Sequence, residues 1–151
     1  MIKIRDFNNY CSHLKDAVPA IGEYILAATE DHLIKKIKDK TGIVLASVIP
    51  SADPDSGSVD NIRENNITFL FVIKKHDPSS ITDATELNNY EETQNALSLV
   101  KQQILTDKAD YANYPFLYEL DTNSIHTDPE NNVFGGYNGW SISLEFVTNG
   151  I

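Results

Sequence analysis

The stretch "NITFLFVIKK", residues 66 to 75, constrains the fold of this chain more than any other part of its sequence. Side chains alternate between the two faces of a strand, and here both faces are apolar. One face carries Ile67, Phe69, Phe71 and Ile73, and the other carries Leu70 and Val72. A strand of this kind lies inside a sheet and is covered on both sides, at least in part. The sequence therefore predicts a sheet with this strand at its centre.

Four blocks of the chain supply the other elements. Apolar residues at helical spacing predict a helical first block, residues 6 to 40, with a break near Pro19. The β-rich stretch "GIVLASVIP" precedes the central strand and predicts its partner. A helix is expected over about residues 84 to 107, with Thr82 or Asp83 as the N-cap. The stretches "FLYELDTNSI" and "WSISLEFV" predict a second strand pair, joined by a polar loop over residues 121 to 139.

The predicted fold is α+β, with the order α-β-β-α-β-β in a single domain, residues 1–151. Strands that follow each other without a crossover helix usually pair antiparallel. We therefore expect a four-stranded, mostly antiparallel sheet with the helices packed largely on one face. The other face keeps apolar residues of the central strand, which a partner subunit or the long loops could cover.

The charge of the chain is negative and unevenly distributed. The net charge is −10; residues 1–42 hold seven basic and six acidic side chains, and the rest hold five and sixteen. Such a surface repels phosphate backbones, so no nucleic-acid binding is expected. Solubility is the favoured explanation, and a basic protein partner is the alternative. The sequence also predicts no signal peptide and no membrane helix, so we expect a cytoplasmic protein.

The residue patterns of common enzymes are missing from the sequence. The single cysteine, Cys11, is expected to be a small buried residue. The four histidines lie in separate contexts without the spacing of a helical zinc site. No Gly-x-Ser-x-Gly elbow and no phosphate-binding GxxxxGK[ST] motif occurs. The sequence therefore predicts no catalytic residue and no cofactor, and we expect a protein that is not an enzyme.

An acidic loop offers the one candidate metal site. Asp53, Asp55 and Glu64 match positions 1, 3 and 12 of an EF-hand calcium loop, and Asp60 lies between them. The middle of the pattern fails, because Ser58 stands where the glycine belongs. The segment that leads into the loop is also a strand that ends in proline. A hairpin loop kept soluble by its charges is the favoured interpretation.

The stretch "FGGYNGW", residues 134 to 140, resembles a phosphate-binding loop only in its glycines. It precedes a strand and not a helix, and no basic residue follows Lys108. The glycines are therefore expected to supply positive φ angles in a turn or bulge. Phe134, Tyr137 and Trp140 are candidate interface residues, since aromatic side chains are enriched at hot spots; burial in the chain's own core is the alternative.

The helix "YEETQNALSLVKQQIL" and the final strand that "GGYNGW" opens resemble those of small tail-completion or tail-terminator proteins of long-tailed phages and prophages. The resemblance implies a non-enzymatic structural subunit that assembles as a ring and contacts neighbouring tail or head proteins. It implies self-association and a place in the virion, and it supplies no catalytic residues. The alternative is a small ligand-binding domain or an enzyme whose site is not visible in the sequence.

Overall fold

The structure is a computed structural model that describes residues 1–56, 62–79 and 82–149. The described residues form three α-helices: α1 (Ile4–Ala17), α2 (Glu30–Ile37) and α3 (Asp83–Ala109). They also form six strands: β1 (Ile21–Ala27), β2 (Ile43–Val48), β3 (Ser51–Ser56), β4 (Ile62–Lys75), β5 (His126–Val133) and β6 (Tyr137–Asn149). Two short 3₁₀ helices, Pro115–Glu119 and Thr122–Ser124, connect α3 to β5. The fold is α+β, as predicted.

One mixed sheet holds all six of these strands. Five of them follow the order β1-β2-β4-β6-β5, and β3 pairs with the same edge of β4 as β2 does. The pair β1–β2 is parallel, and α2 is the crossover between its strands; the other pairs are antiparallel. The four-strand prediction was therefore two strands short among the described residues. The predicted element order was also wrong, because helix α2 separates β1 from β2 and a third strand follows β2.

Strand β4 is the centre of this sheet, as its two apolar faces predicted. Its 14 residues pair with β6 along one edge. Along the other edge they pair first with β3 and then with β2, because the chain turns at Pro50 between those two short strands. Every layer of the molecule therefore packs against β4 or against a strand bonded to it.

Helices α1 and α3 cover one face of the sheet, and α2 covers part of the other. The larger core joins α1 and α3 to the sheet through Leu14, Leu45, Leu70, Val100 and Ile142, all fully buried. The smaller core forms where Leu33 and Ile37 of α2 pack on the opposite face. Two of the three helices thus share a face, and α2, of only eight residues, leaves much of its own face uncovered.

The first block was predicted as helix throughout, and this prediction was wrong for residues 21 to 27. The spacing of Ile21, Tyr24 and Ile25 fits a helical stripe, but these residues form strand β1. Burial on both faces of β1 explains the ambiguity, since a doubly buried strand has no clear period. Helix α2 begins only at Glu30, and the hydroxyl of the preceding Thr29 caps it by accepting a hydrogen bond from the His32 amide at 3.2 Å.

The second strand pair was also predicted incorrectly at its first member. "FLYELDTNSI" lies largely in the two 3₁₀ helices; Leu117 is buried in the first, and Leu120, just after it, is buried and forms a single β-bridge with Phe146. The partner of β6 is instead β5, in the stretch predicted to be a polar loop. β5 is an exposed edge strand that contains Pro129, and such strands need few apolar residues. Strand β6 and helix α3, with its Thr82 cap, confirm their predictions.

Candidate functional site

The central strand is uncovered where it would be expected to be most buried. Phe69 is 46 % exposed and Ile67 is 37 % exposed, although both lie on β4 between paired strands. Their face of the sheet is the one on which α2 lies. Helix α2 reaches Ile73 and the strands β1 and β2, but it does not extend over Phe69. A large apolar side chain on a central strand is usually covered, so this exposed area is the first candidate for a binding surface.

A groove of about 480 Å³ lies over this uncovered area. We call it the acidic groove. Its floor is apolar and is formed by Val48, Phe69, Phe71, Val133 and Phe134. Its rim is polar and is formed by Glu30, Asp128, Glu130 and Ser141. The groove therefore combines an aromatic floor with three carboxylates.

The turn between β5 and β6 positions one end of the floor. Gly135 and Gly136 have φ angles of 84° and 115°, and Phe134 itself has a φ of 49°. This left-handed turn directs the Phe134 ring onto Phe71, where the two rings meet edge to face with centroids 4.8 Å apart. Phe71 in turn lies 6.3 Å from the ring of Phe69. The glycines thus supply positive φ angles, as predicted, and they help to build the groove.

The rim carboxylates come from two different elements. Glu30 opens helix α2, directly after the Thr29 cap, and Asp128 and Glu130 lie on the edge strand β5. Ser141 Oγ donates a 2.7 Å hydrogen bond to Glu130 Oε1, which holds that carboxylate over the floor. Asp128 Oδ1 lies 3.2 Å from His126 Nε2. No lysine or arginine is among the described residues that line the groove, so it favours an apolar partner that carries positive charge.

The predicted interface aromatics lie within the chain. Trp140 is partly buried, its Nε1 donates a 3.0 Å hydrogen bond to the Tyr90 carbonyl on α3, and it packs against the larger core. Tyr137 is buried, and its hydroxyl donates to the carbonyls of Ile37 and Lys40 at 2.5 and 2.9 Å. Phe134 is 8 % exposed and forms the end of the groove. Contact of these three residues with another subunit stays a prediction.

The calcium prediction falls partly outside the described residues, because Asp60 lies there. Asp53 and Asp55 belong to β3 and Glu64 to β4, and the ladder pairs Asp53 with Asn65 and Asp55 with Arg63. No group of three or more His, Cys, Asp or Glu side chains in the described ranges is arranged to hold a metal ion. The predicted calcium site itself stays a prediction.

Cys11 is fully buried on the inner side of α1, which confirms its prediction as a core residue. Burial raises the pKa of its thiol to about 12. Burial also raises the pKa of the neighbouring Tyr10 and Tyr24 hydroxyls, and the thiol adds to the effect at both. A thiol held in its neutral form is a poor nucleophile. This cluster therefore stabilises the packing of α1 on β1 and offers no reactive group at neutral pH.

Sequence reasoning identified the floor of the groove but not its rim. The apolar face of "NITFLFVIKK" marked Phe69 and Phe71 as needing a cover. Glu30, Asp128 and Glu130 were missed because their elements, α2 and β5, were assigned to a longer helix and to a loop. The Thr29 cap before Glu30 is the signal that could have revealed the start of α2.

No helix in the described ranges has both the length and the apolar character needed to cross a membrane. No protein-family model matches the chain, and no curated protein matches its sequence.

Proposed function

We propose that this protein is a non-enzymatic assembly subunit that binds neighbouring copies of itself through the acidic groove and forms a ring. The observation that carries the proposal is the exposure of Phe69 on the central strand of the sheet. The proposed setting is a phage or prophage tail-like structure, where neighbouring tail or head proteins would contact the ring. The similarity of α3 and β6 to tail-completion proteins supports this setting.

The energetics favour a protein partner for this surface. Full burial of a Phe side chain stabilises by about 1.5–3 kcal/mol. About half of Phe69 is already covered, so its remaining surface would contribute about 1 kcal/mol, and Ile67 and Phe71 would add to it. Contiguous aromatic surface surrounded by polar groups is typical of the centre of an interface.

The experiment is a measurement of mass in solution by light scattering and sedimentation velocity over a range of concentrations. One chain has a mass of 16.9 kDa. We expect the wild type to sediment as a closed multiple of this mass and Phe69→Thr to sediment as a monomer. Threonine suits a strand, so this variant removes the aromatic side chain without disrupting strand β4.

The matched control is Leu87→Gln. Leu87 is 68 % exposed on α3 and is not among the residues that line the groove, and glutamine suits a helix. This control should assemble as the wild type does. If Phe69→Thr assembles as well as Leu87→Gln, or if the wild type stays monomeric at every concentration, the proposed function is wrong.

A further inference from the structure

We propose that the occupant of the acidic groove is the outer side of helix α3 from a second copy of the chain. This inference rests on the proposed function and identifies the surface that the groove binds. We call that surface the α3 stripe and define it by Ser98, Lys101, Gln102 and Leu105. The groove and the stripe would be the two halves of one repeating interface.

The α3 stripe combines one exposed apolar side chain with polar neighbours on the outer side of the helix. Leu105 is 42 % exposed, although it is on a helix whose other side is buried in the larger core. Ser98, Gln102 and Leu105 recur at intervals of three and four residues, which places them on one side of the helix. They border a shallow depression of about 470 Å³ together with Lys101 and Thr106.

The charge of the stripe complements the groove. Between Thr93 and Thr106 the helix carries no carboxylate, and its one charged side chain is Lys101. Lys101 takes part in none of the ion pairs within the described residues. The stripe thus carries a cation and no anion. It matches a groove whose rim has three carboxylates and, in the described residues, no cation.

The kind of contact proposed is also a familiar one. A helix that lays exposed apolar side chains into an apolar groove is a common mode of recognition. Leu105 would contact the floor formed by Phe69 and Phe71, and Lys101, four residues earlier on the same side of the helix, would lie between the rim carboxylates. The desolvated Lys101 charge would then have opposite charges beside it, which is the condition for burying it at low cost.

The positions of the two surfaces explain how such a contact propagates. Helix α3 packs on one face of the sheet, and the groove lies on the other. A contact between different surfaces is head-to-tail, and it closes into a ring when the rotation between copies allows. Contact of one groove with another groove would instead place six rim carboxylates together. Lys36 of α2 is less suited, because it donates to the Leu26 carbonyl, and so is Lys40, beyond the end of α2, because it pairs with Glu23.

A complementation experiment tests the pairing. The groove variant is Phe69→Thr, and the stripe variant is Lys101→Glu with Leu105→Gln. Each variant alone should be monomeric at 16.9 kDa, with the circular dichroism of the wild type. Mixed in equal amounts, they should form a heterodimer of twice that mass and nothing larger. The intact stripe of one variant meets the intact groove of the other, and the remaining two surfaces are both disabled.

A charge exchange gives a second measurement. Lys101→Glu alone should weaken assembly at least tenfold, and adding Glu130→Lys to the same chain should recover most of the loss, because the pair is restored between copies. If the stripe variant assembles like the wild type while Phe69→Thr does not, this inference is overturned and the proposed function stands. A mixture that stays monomeric also overturns it. If Phe69→Thr assembles normally, both proposals fail.

Discussion

Replacement of Gly139 by alanine should destabilise the protein more than any other single methyl addition at a glycine in the described residues. Gly139 lies in β6 opposite Ile73 of β4, with a φ of 154° that L-residues rarely adopt. An added Cβ would lie 2.2 Å from the Val72 carbonyl oxygen and 2.9 Å from the Ile73 Cα. Ordinary contacts begin near 3.4 Å, so β4 would have to retreat by about 1 Å.

The expected magnitude follows from two effects. Overpacking of a tight site costs typically about 1–3 kcal/mol, and a strained backbone conformation costs about 1–3 kcal/mol. We therefore expect Gly139→Ala to lower the free energy of unfolding by about 3–4 kcal/mol. Domains of this size are stable by about 5–15 kcal/mol, so the loss is large and measurable.

Urea unfolding provides the assay, followed by circular dichroism and by the fluorescence of Trp140, the only tryptophan of the chain. Gly42→Ala is the control for conformation alone, because Gly42 has a φ of 75° and nothing within 4 Å of the added Cβ; it should cost about 1 kcal/mol. Gly22→Ala, with its nearest atom at 3.9 Å, should cost least. If the free energies of unfolding of Gly139→Ala and Gly42→Ala differ by less than 1 kcal/mol, the close approach of β6 to β4 is not a constraint and the reasoning fails.

Three further predictions concern the buried side chains. Trp140→Ala should lower the free energy of unfolding by about 3 kcal/mol in urea unfolding, because Trp140 packs on the core and bonds the Tyr90 carbonyl; a near-neutral change combined with lost assembly would place it in an interface instead. Tyr137→Phe should cost about 1–2 kcal/mol, since two carbonyls at the end of α2 lose their donor; an unchanged urea midpoint would contradict this. Burial raises the pKa of the Cys11 thiol from 9.0 to about 12. As the pH rises, the thiol therefore loses its proton in the unfolded state before it does so in the folded state. The free energy of unfolding should be constant below about pH 8 and fall above about pH 9 by up to about 1.4 kcal/mol per pH unit. Cys11→Ala should make that fall shallower, and equal slopes in the wild type and the variant would refute the assignment.

Elements with one clear period could be predicted from the sequence. Strand β6 alternates Ile142, Leu144 and Phe146 with polar residues, and α3 has a capped start and a long apolar stripe. Strand β4 was recognisable because its run of apolar residues is short and rich in β-branched and aromatic side chains. In each case local pattern and tertiary position agree.

Strands β1 and β5 were missed because the apolar pattern of each depends on its position in the sheet. β1 is buried on both faces at the edge next to α2, so its apolar residues fit a helix as well as a strand. β5 has almost no apolar residues, because it is an exposed edge strand whose place is set by pairing with β6. The rim of the acidic groove comes from α2 and β5, so it could not be derived before those elements were placed.

The pairing of β4 with β6 has a consequence for the order in which the chain folds. The ladder begins at Lys75 and Tyr137, so residues 76 to 136 form a long loop that must close before the pair exists. Closing a loop of this length costs about 3–4 kcal/mol of chain entropy, and such non-local pairing is slow. Until β6 arrives, one edge of β4 and the Phe69 side of the sheet are both open to other chains. Refolding yield should therefore fall with protein concentration, because the surface that would join finished subunits is also the surface through which unfinished ones aggregate.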